Sequence, residues 1–430
     1  MRHLNSTSAR WLLGCGLAAA LSLPFAHAQD NKKPAKNGAD TVLYSFAGGP
    51  SDGSFPVAGL FEDASGNFYG TTEYGGTNDL GAVVKLATGG SESVLYSFAG
   101  GASDGAYPSS SLIADSSGNL YGTTIEGGLG NCSEDGCGTV FEISPSGTES
   151  VIYAFSGIAD GAGPQAGLIQ DQAGNLYGTT YAGGGSSVGT ANCAGGCGTV
   201  FELSPSNGSW IETVLYSFSG VKDGAGPYSG LVMDGGGNLY GTTTLGGGSI
   251  NCPGGCGAVY ELSPVGNGTW KEKVIWSFKG GGGGNTPSST LYMDSAGNLY
   301  GTTPEGGSVK CGGGCGLMFK LSPTKTGGWT EVRFRAFAAG KKGAFPLGNL
   351  IADSKGNIYG TAEGAGLYNC GVVYQMSSSG TETALHSFTG AAADGCEPLG
   401  GLLSDTSGQL YGMTADGGAT SNGVIFKLPQ

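Results

Sequence analysis

A tyrosine-glycine pair, preceded by Asn or Gln and one apolar residue, recurs seven times, at Tyr69, Tyr121, Tyr177, Tyr240, Tyr300, Tyr359 and Tyr411. The separations of 52, 56, 63, 60, 59 and 52 residues lie near the period of propeller blades. Thirteen residues ahead of each tyrosine stands a proline: Pro56, Pro108, Pro164, Pro227, Pro287, Pro346 and Pro398. Six residues ahead stands an aspartate: Asp63, Asp115, Asp171, Asp234, Asp294, Asp353 and Asp405. Fixed spacing inside each unit, with variable gaps between units, describes one structural module repeated seven times.

Each unit divides into four strand-sized runs separated by turn residues. In the third they are residues 167–171, 175–180, 198–203 and 213–218, designated a to d. The a-to-b turn reads Asp171-Gln172-Ala173-Gly174. Its aspartate can cap the turn, and its glycine can take the positive φ of a bulged hairpin. The seven aspartates are thus explained without calcium. The proline cannot donate a ladder hydrogen bond, so it belongs at the start of strand a or just ahead of it. The chain opens with a lone d-type strand, residues 41–46, and closes with a lone c-type strand, residues 423–428. Pairing these two completes the last sheet and leaves no weak junction. The expected fold is all-β: a seven-bladed β-propeller with four antiparallel strands per blade, closed by the N-terminal strand pairing with the C-terminal strand. It is expected to occupy residues 41–430 as one domain.

What precedes that domain is read as export machinery. Arg2 and Arg10, the apolar run 11–25 and Ala26-His27-Ala28 follow the order of a secretory signal peptide. Residues 1–28 are therefore expected to be cleaved near Ala28. The apolar run is too short to span a bilayer. Leu12-Leu13-Gly14-Cys15 also reads as a lipoprotein box that would leave a lipid on Cys15, but nearly all the apolar length follows that cysteine. Residues 29–40 are polar and read as a disordered leader. Glycine reaches 88 residues and charged residues only 12%, which suits strands buried on both faces and many tight turns. The net charge of −14 makes nucleic acid and anionic membranes poor partners.

In a propeller the b-to-c and d-to-a loops share one face. From each blade tyrosine to the first glycine of strand c the distance is 12, 17, 21, 17, 16, 12 and 12 residues, while the a-to-b turn keeps its length. Variable loops on a constant frame usually carry recognition, so any ligand is expected on the b-to-c face. The c-to-d loops also lengthen in three blades, around Trp210, Trp270 and Trp329, which keeps the other face open as an alternative. Cys132 and Cys137, Cys193 and Cys197, Cys252 and Cys256, and Cys311 and Cys315 each lie within one b-to-c loop. Cys370 and Cys396 lie in neighbouring loops of the same face. All ten are expected to pair in an oxidising compartment, stiffening glycine-rich loops and contributing about 2 kcal/mol for each short one. Zinc is the lesser reading, since each loop offers two thiols and no histidine.

Catalytic machinery is sparse. Only His386 remains once the signal is gone, and it sits in a d strand, where a lone histidine suits neither a His-rich metal site nor a proton relay. No Gly-Lys-Ser/Thr phosphate loop occurs, and glycine runs such as residues 280–284 follow no dinucleotide fingerprint. Carboxylates are the remaining resource. Glu73, Glu126, Glu305, Glu363 and Asp416 follow strand b, while Asp52, Asp104, Asp160, Asp223 and Asp394 precede strand a. Turn formation is the plain account of them, and a rim of acids binding calcium or a sugar the sharper one. Lactonase-type propellers place such acids in the central channel, whereas here the start of strand a is Gly, Ala, Ser and Thr, as in Ser109 to Ser111 and Ser288 to Thr290. No catalytic residue, metal or cofactor is assigned, with calcium left open. The aromatics of strand d, Tyr44, Tyr96, Tyr153, Tyr216 and Trp276, recur at equivalent positions and read as inter-blade packing.

The phrases around Tyr153, Gly174 and Gly198, in the order (Leu/Ile)-Tyr-(Ser/Ala)-Phe, Asp-Gly, Pro, Gly-Asn-Leu-Tyr-Gly-Thr-Thr and Gly-Thr-Val-Phe-Glu-Leu-Ser-Pro, resemble the GloVer tandem repeat of exported bacterial proteins. The resemblance covers nearly the whole chain after the leader. It implies a bacterial cell-surface or secreted repeat protein with no agreed catalytic residues, often bearing a C-terminal anchor. Here the chain ends at Gln430, so a secreted or periplasmic monomer is expected. The aspartate-capped turn is also similar to that of streptogramin-lyase-like propellers, which bears on fold alone. The expected function is a non-catalytic binding or scaffold propeller presenting stiffened loops to a glycan, peptide or surface protein. The alternative is a polysaccharide- or lactone-acting lyase or hydrolase using loop acids.

Overall fold

The computed structural model describes residues 40–130, 132, 136–185, 193 and 195–429; the signal segment and nearly all of the leader lie outside them. Among the described residues, seven sheets of four or five strands follow one another along the chain, each built on an antiparallel a-b-c-d meander, beside two short two-stranded pairs. In the first blade the strands are Phe61–Glu62, Phe68–Thr72, Ala82–Leu86 and Glu92–Ser97; in the third they are Ile169–Gln170, Leu176–Thr180, Thr199–Ser206 and Ser209–Ser217. Strand a is shorter than expected, Ile169–Gln170 in place of residues 167–171, and the backbone just ahead of it faces the neighbouring blade. Thr123 Oγ1 donates to Ala166 O at 3.1 Å and Ser109 Oγ to Gln165 O at 3.2 Å. The c–d hairpin of the third blade is longer than expected, because its ladder continues through Trp210 opposite Pro205.

The seventh blade contains Leu403–Ser404, Leu410–Thr414 and Val424–Leu428, and its fourth strand is Thr41–Ser45. Thr41 stands opposite Lys427, Val42 opposite Phe426, Tyr44 opposite Ile425 and Ser45 opposite Val424. The register shifts between Val42 and Tyr44, a bulge that bends the strand. The same shift occurs in the other six c–d ladders, for example between Val140 and Phe141 and between Val373 and Tyr374. The opening strand therefore sits in the ring as an ordinary d strand.

Packing between blades explains the repeated glycine after tyrosine. A Cβ on Gly178 would lie 2.5 Å from Phe201 Cζ, so the absent side chain makes room for the strand-c ring. That ring meets the preceding blade's strand-d phenylalanine edge-on, as in Phe155 with Phe201 at 5.1 Å and Phe388 with Phe426 at 5.1 Å. At the seventh-to-first junction Phe46 packs instead with Val84 and Met413. The first threonine of the motif stitches the blades as well: Thr71 Oγ1 donates to Ser110 O at 2.9 Å and Thr361 Oγ1 to Gly400 O at 2.8 Å.

Around the axis, the third residue after each strand-a proline touches its counterpart in the next blade. Gly59 N donates to Ser111 Oγ at 2.9 Å, Gly230 N to Thr290 Oγ1 at 3.0 Å and Thr290 N to Asn349 Oδ1 at 3.0 Å. A Cβ on Gly167 would lie 3.1 Å from Ser111 O, one on Gly230 3.3 Å from Gly167 O, one on Gly401 2.9 Å from Asn349 Cβ, and one on Gly59 3.4 Å from Gly401 O. The seven contacts form a closed circle of backbone and small side chains around the axis.

Candidate functional site

The face bearing the b-to-c and d-to-a loops has a floor, a wall and a rim. Its floor is set by the residue immediately before each strand-a proline. That residue donates its N–H to the preceding blade, as from Tyr107 to Leu80 O at 2.8 Å and from Glu397 to Cys370 O at 3.0 Å. Its carbonyl accepts from the residue after strand b, as from Glu363 N to Phe345 O at 3.1 Å. This double pairing holds the residue in the left-handed region. Glycine fills the position in two blades, but the other five have Phe55, Tyr107, Thr286, Phe345 and Glu397 at φ values from 54° to 60°. Each such side chain costs about 1–2 kcal/mol of backbone strain, a cost glycine would avoid, and strain of this kind concentrates at functional sites.

Those side chains divide the floor chemically. Phe55, Tyr74 and Tyr107 form an aromatic arc over the first two blades, with centroids 5.9 and 5.7 Å apart. Over the sixth and seventh blades the floor is acidic. Burial, then repulsion from Glu397, pushes the Glu363 carboxyl up to about 7. Burial and then Asp416 raise Glu397 in turn. Glu73 is raised by burial against a hydrogen bond from Tyr74, and Glu305 by burial against Asn285 Nδ2 at 2.7 Å. Glu126 is buried.

The five aspartates ahead of strand a are also buried, and they serve the loops. Asp52 accepts from Tyr44 Oη at 2.8 Å, Ala47 N at 2.6 Å and Gly53 N at 2.6 Å. Asp104 does the same with Tyr96, and Asp160 and Asp223 accept from Tyr153 and Tyr216 at 2.9 Å. Asp394 accepts from Thr389 N at 2.8 Å and lies 3.2 Å from His386 Nε2. The ten acids thus separate into five loop caps and five floor residues. Among the described residues, no three of the ten come together as a three-donor group within 4.8 Å; Asp394 alone takes part in one, with Asp40 and His386.

The wall is built by the longer b-to-c loops of the second to fifth blades, closed by Cys132–Cys137, Cys193–Cys197, Cys252–Cys256 and Cys311–Cys315. Cys370–Cys396 ties the sixth blade's b-to-c loop to the following d-to-a loop. Along the rim stand exposed aliphatic side chains: Ile250 at 97%, Val309 at 92%, Ile158 at 80% and Leu129 at 77%, with Val221 and Leu367 less so. Sequence reasoning missed Phe55, Tyr107 and Glu397, although each directly precedes the repeated proline, and it missed the rim aliphatics because single loop hydrophobics carry no periodic signal.

A second recurring group lies between the outer strands. In four blades the residue four ahead of the strand-d aromatic is a glutamate that packs beside the previous blade's tyrosine and aspartate. Burial, then repulsion from Asp52, Asp104, Asp160 and Asp223 respectively, pushes Glu92, Glu149, Glu212 and Glu272 up to about 7. Each keeps one buried oxygen without a hydrogen-bond partner. The turn aspartates move the other way. Burial of Asp63 is outweighed by hydrogen bonds from Asn67, Tyr69 and Ser65, which hold it at about 2.

These opposite shifts fix the pH dependence of stability. Between pH 4.5 and about 7 the native chain binds more protons at the four glutamates than the unfolded chain, so stability falls as pH rises through that window. Below 3.8 it falls again, as the turn aspartates are forced to protonate. Denaturation midpoints measured from pH 3 to 8 are expected to peak between pH 4 and 5, and Glu149→Gln to flatten the upper slope. A midpoint climbing steadily from pH 5 to 8 would contradict this.

The fold and this face define a closed, disulfide-reinforced seven-bladed β-propeller with one face walled by loops. Residues 32–251 and 251–430 match the Gloeobacter/Verrucomicrobia repeat, and the chain belongs to that family. No curated protein matches it. A crystal structure of a protein from Lactobacillus plantarum is similar at 14% identity and a TM-score of 0.47, over 77% of this chain and 84% of that one. Five disulfides favour an extracellular or periplasmic setting, and among the described residues no helix is long and apolar enough to cross a membrane.

Proposed function

We propose that the protein is a non-catalytic binding propeller that captures a polypeptide through its walled face, with a basic segment of the partner on the acidic floor. The observation that carries this reading is the rim: the most exposed aliphatic side chains among the described residues, Ile250, Val309, Ile158 and Leu129, stand on b-to-c or d-to-a loops. Aliphatic tips on stiffened loops favour a protein surface, since sugars are recognised mainly by aromatic platforms and hydrogen bonds. Glu363, Glu397 and Asp416 supply the charge complementarity, and the aromatic arc beside them offers faces to a Lys or Arg side chain. Supporting export are the basic, apolar, small-residue order of residues 1–28 and the cysteine pairing, with cleavage near Ala28 rather than lipidation at Cys15.

The test is affinity for basic peptides, read by fluorescence anisotropy. Binding is expected to weaken with salt, and the double substitution Glu363→Gln with Glu397→Gln to cost about tenfold in affinity. Replacing Ile250 and Val309 by serine should weaken capture of a whole partner while leaving short peptides unaffected. Equal affinity for acidic and basic peptides would refute the reading.

One observation favours a second reading. Glu363 sits near neutrality in a half-buried carboxylate pair, as a proton-transferring acid in a polysaccharide lyase or hydrolase would. Turnover of a polysaccharide or lactone that Glu363→Gln abolishes would establish it.

A further inference from the structure

The junction between the sixth and seventh blades breaks the pattern of the outer strands in two coupled ways. At the strand-d position that is Tyr44, Tyr96, Tyr153 or Tyr216 in four blades, the sixth blade has His386. At the position of the buried glutamate, the closing strand has the shorter Asp40. The loop aspartate, Asp394, is retained. The three side chains point at one spot: His386 Nε2 lies 3.2 Å from Asp394 Oδ1 and 3.7 Å from Asp40 Oδ1, and all three donors fall within 4.8 Å of one another. Each aspartate side chain is about nine-tenths buried, at 9% exposure. Asp40 Oδ2 has no hydrogen-bond partner, and Oδ1 is too far from the imidazole to be bonded to it directly.

From this geometry we infer that Asp40, His386 and Asp394 form a binding site for one divalent transition-metal ion of the zinc type. Ligands held at about 2.1 Å around a tetrahedral ion stand about 3.4 Å apart, a spacing that falls between the two distances seen here. One imidazole and two carboxylates make a ligand set suited to zinc with an open fourth position for water. Calcium is a poor fit, since it takes six to eight oxygens. The ion also offers a partner to the buried Oδ2 of Asp40, which has no hydrogen bond.

The position gives the site a role. Asp40 directly precedes the closing strand Thr41–Ser45, His386 lies in the sixth blade's outer strand Glu382–Ser387, and Asp394 lies in the loop between the sixth and seventh blades. An ion there pins the N-terminal strand to the adjacent blade and to the d-to-a loop that carries Asp394.

The test uses the full chain, untagged and with its disulfides formed, titrated with zinc chloride by calorimetry and by thermal shift. One site per chain is expected, with the melting temperature rising by roughly 3 °C at a hundredfold excess over Kd and returning on addition of a chelator. His386→Tyr installs the residue the ring carries at four equivalent positions, so it should fold normally and lose the site. Asp40→Asn should weaken zinc binding at least tenfold. Unchanged zinc affinity in His386→Tyr would overturn the assignment. So would a melting temperature indifferent to zinc and chelator but dependent on pH between 5 and 8, the signature of an imidazolium held between two carboxylates.

Discussion

A chain that begins at residue 48 is expected not to fold into a stable monomer, although it keeps every one of the seven repeated tyrosine phrases. Removing the opening strand exposes Val424–Leu428 as an unpaired edge and empties the site of Phe46, which is fully buried against Val84 and Met413. Losing a buried phenylalanine alone costs about 3–5 kcal/mol, and an open apolar edge templates association. Gel filtration and circular dichroism should show aggregated or partly unfolded material. Moving residues 40–47 behind Gln430 through a short flexible linker supplies the same strand from the other end, so this permuted chain should recover a single cooperative melt. Failure of the permuted chain together with solubility of the truncated one would show that strand pairing is not what closes the ring.

Gly400→Val is expected to be the most damaging single substitution at the axis. A Cβ there would lie 2.1 Å from Ala58 O and 2.5 Å from Ala58 C, across the seam between the last blade and the first. The obstructing atoms are backbone, so no rotamer change relieves them, and overpacking of this kind costs about 3 kcal/mol. Gly235 lies in an a-to-b turn with nothing within 4 Å of its would-be Cβ, and Gly235→Ala should leave the urea midpoint nearly unchanged. Equal midpoints for the two variants would mean that the axis is looser than its contacts imply.

Much of the architecture was legible because the repeat states it seven times. The aspartate-capped turns, the pairing of the two terminal strands and the disulfide partners follow from spacing alone, and Asp171 does accept from Asn175 and Ala173 as a turn cap should. The glycine of each Tyr-Gly pair could be seen but not explained, since its reason, the Phe201 ring across the sheet, lies some twenty residues away. The acids were only half legible. Residue type suggested a rim, but whether a carboxylate caps its own loop, as Asp52 does, or faces a like charge, as Glu363 does, depends on which blade lies beside it. Asp40 looked like the end of a polar leader, and its meeting with His386 depends on ring closure bringing residues 346 positions apart together. Left-handed backbone at Phe55, Tyr107 and Glu397 has no signature in residue type, since none of the three favours it.

The ring of contacts around the axis also limits how this sequence can vary in length. Gly59, Ser111, Gly167, Gly230, Thr290, Asn349 and Gly401 are small enough to meet only because seven of them share the circumference. An eighth copy, gained by unequal recombination between such similar units, would spread the hub and strip those amides of their partners. Copy number is therefore policed from the middle of the molecule, and a lineage that gained a blade would have to refill its hub with larger side chains.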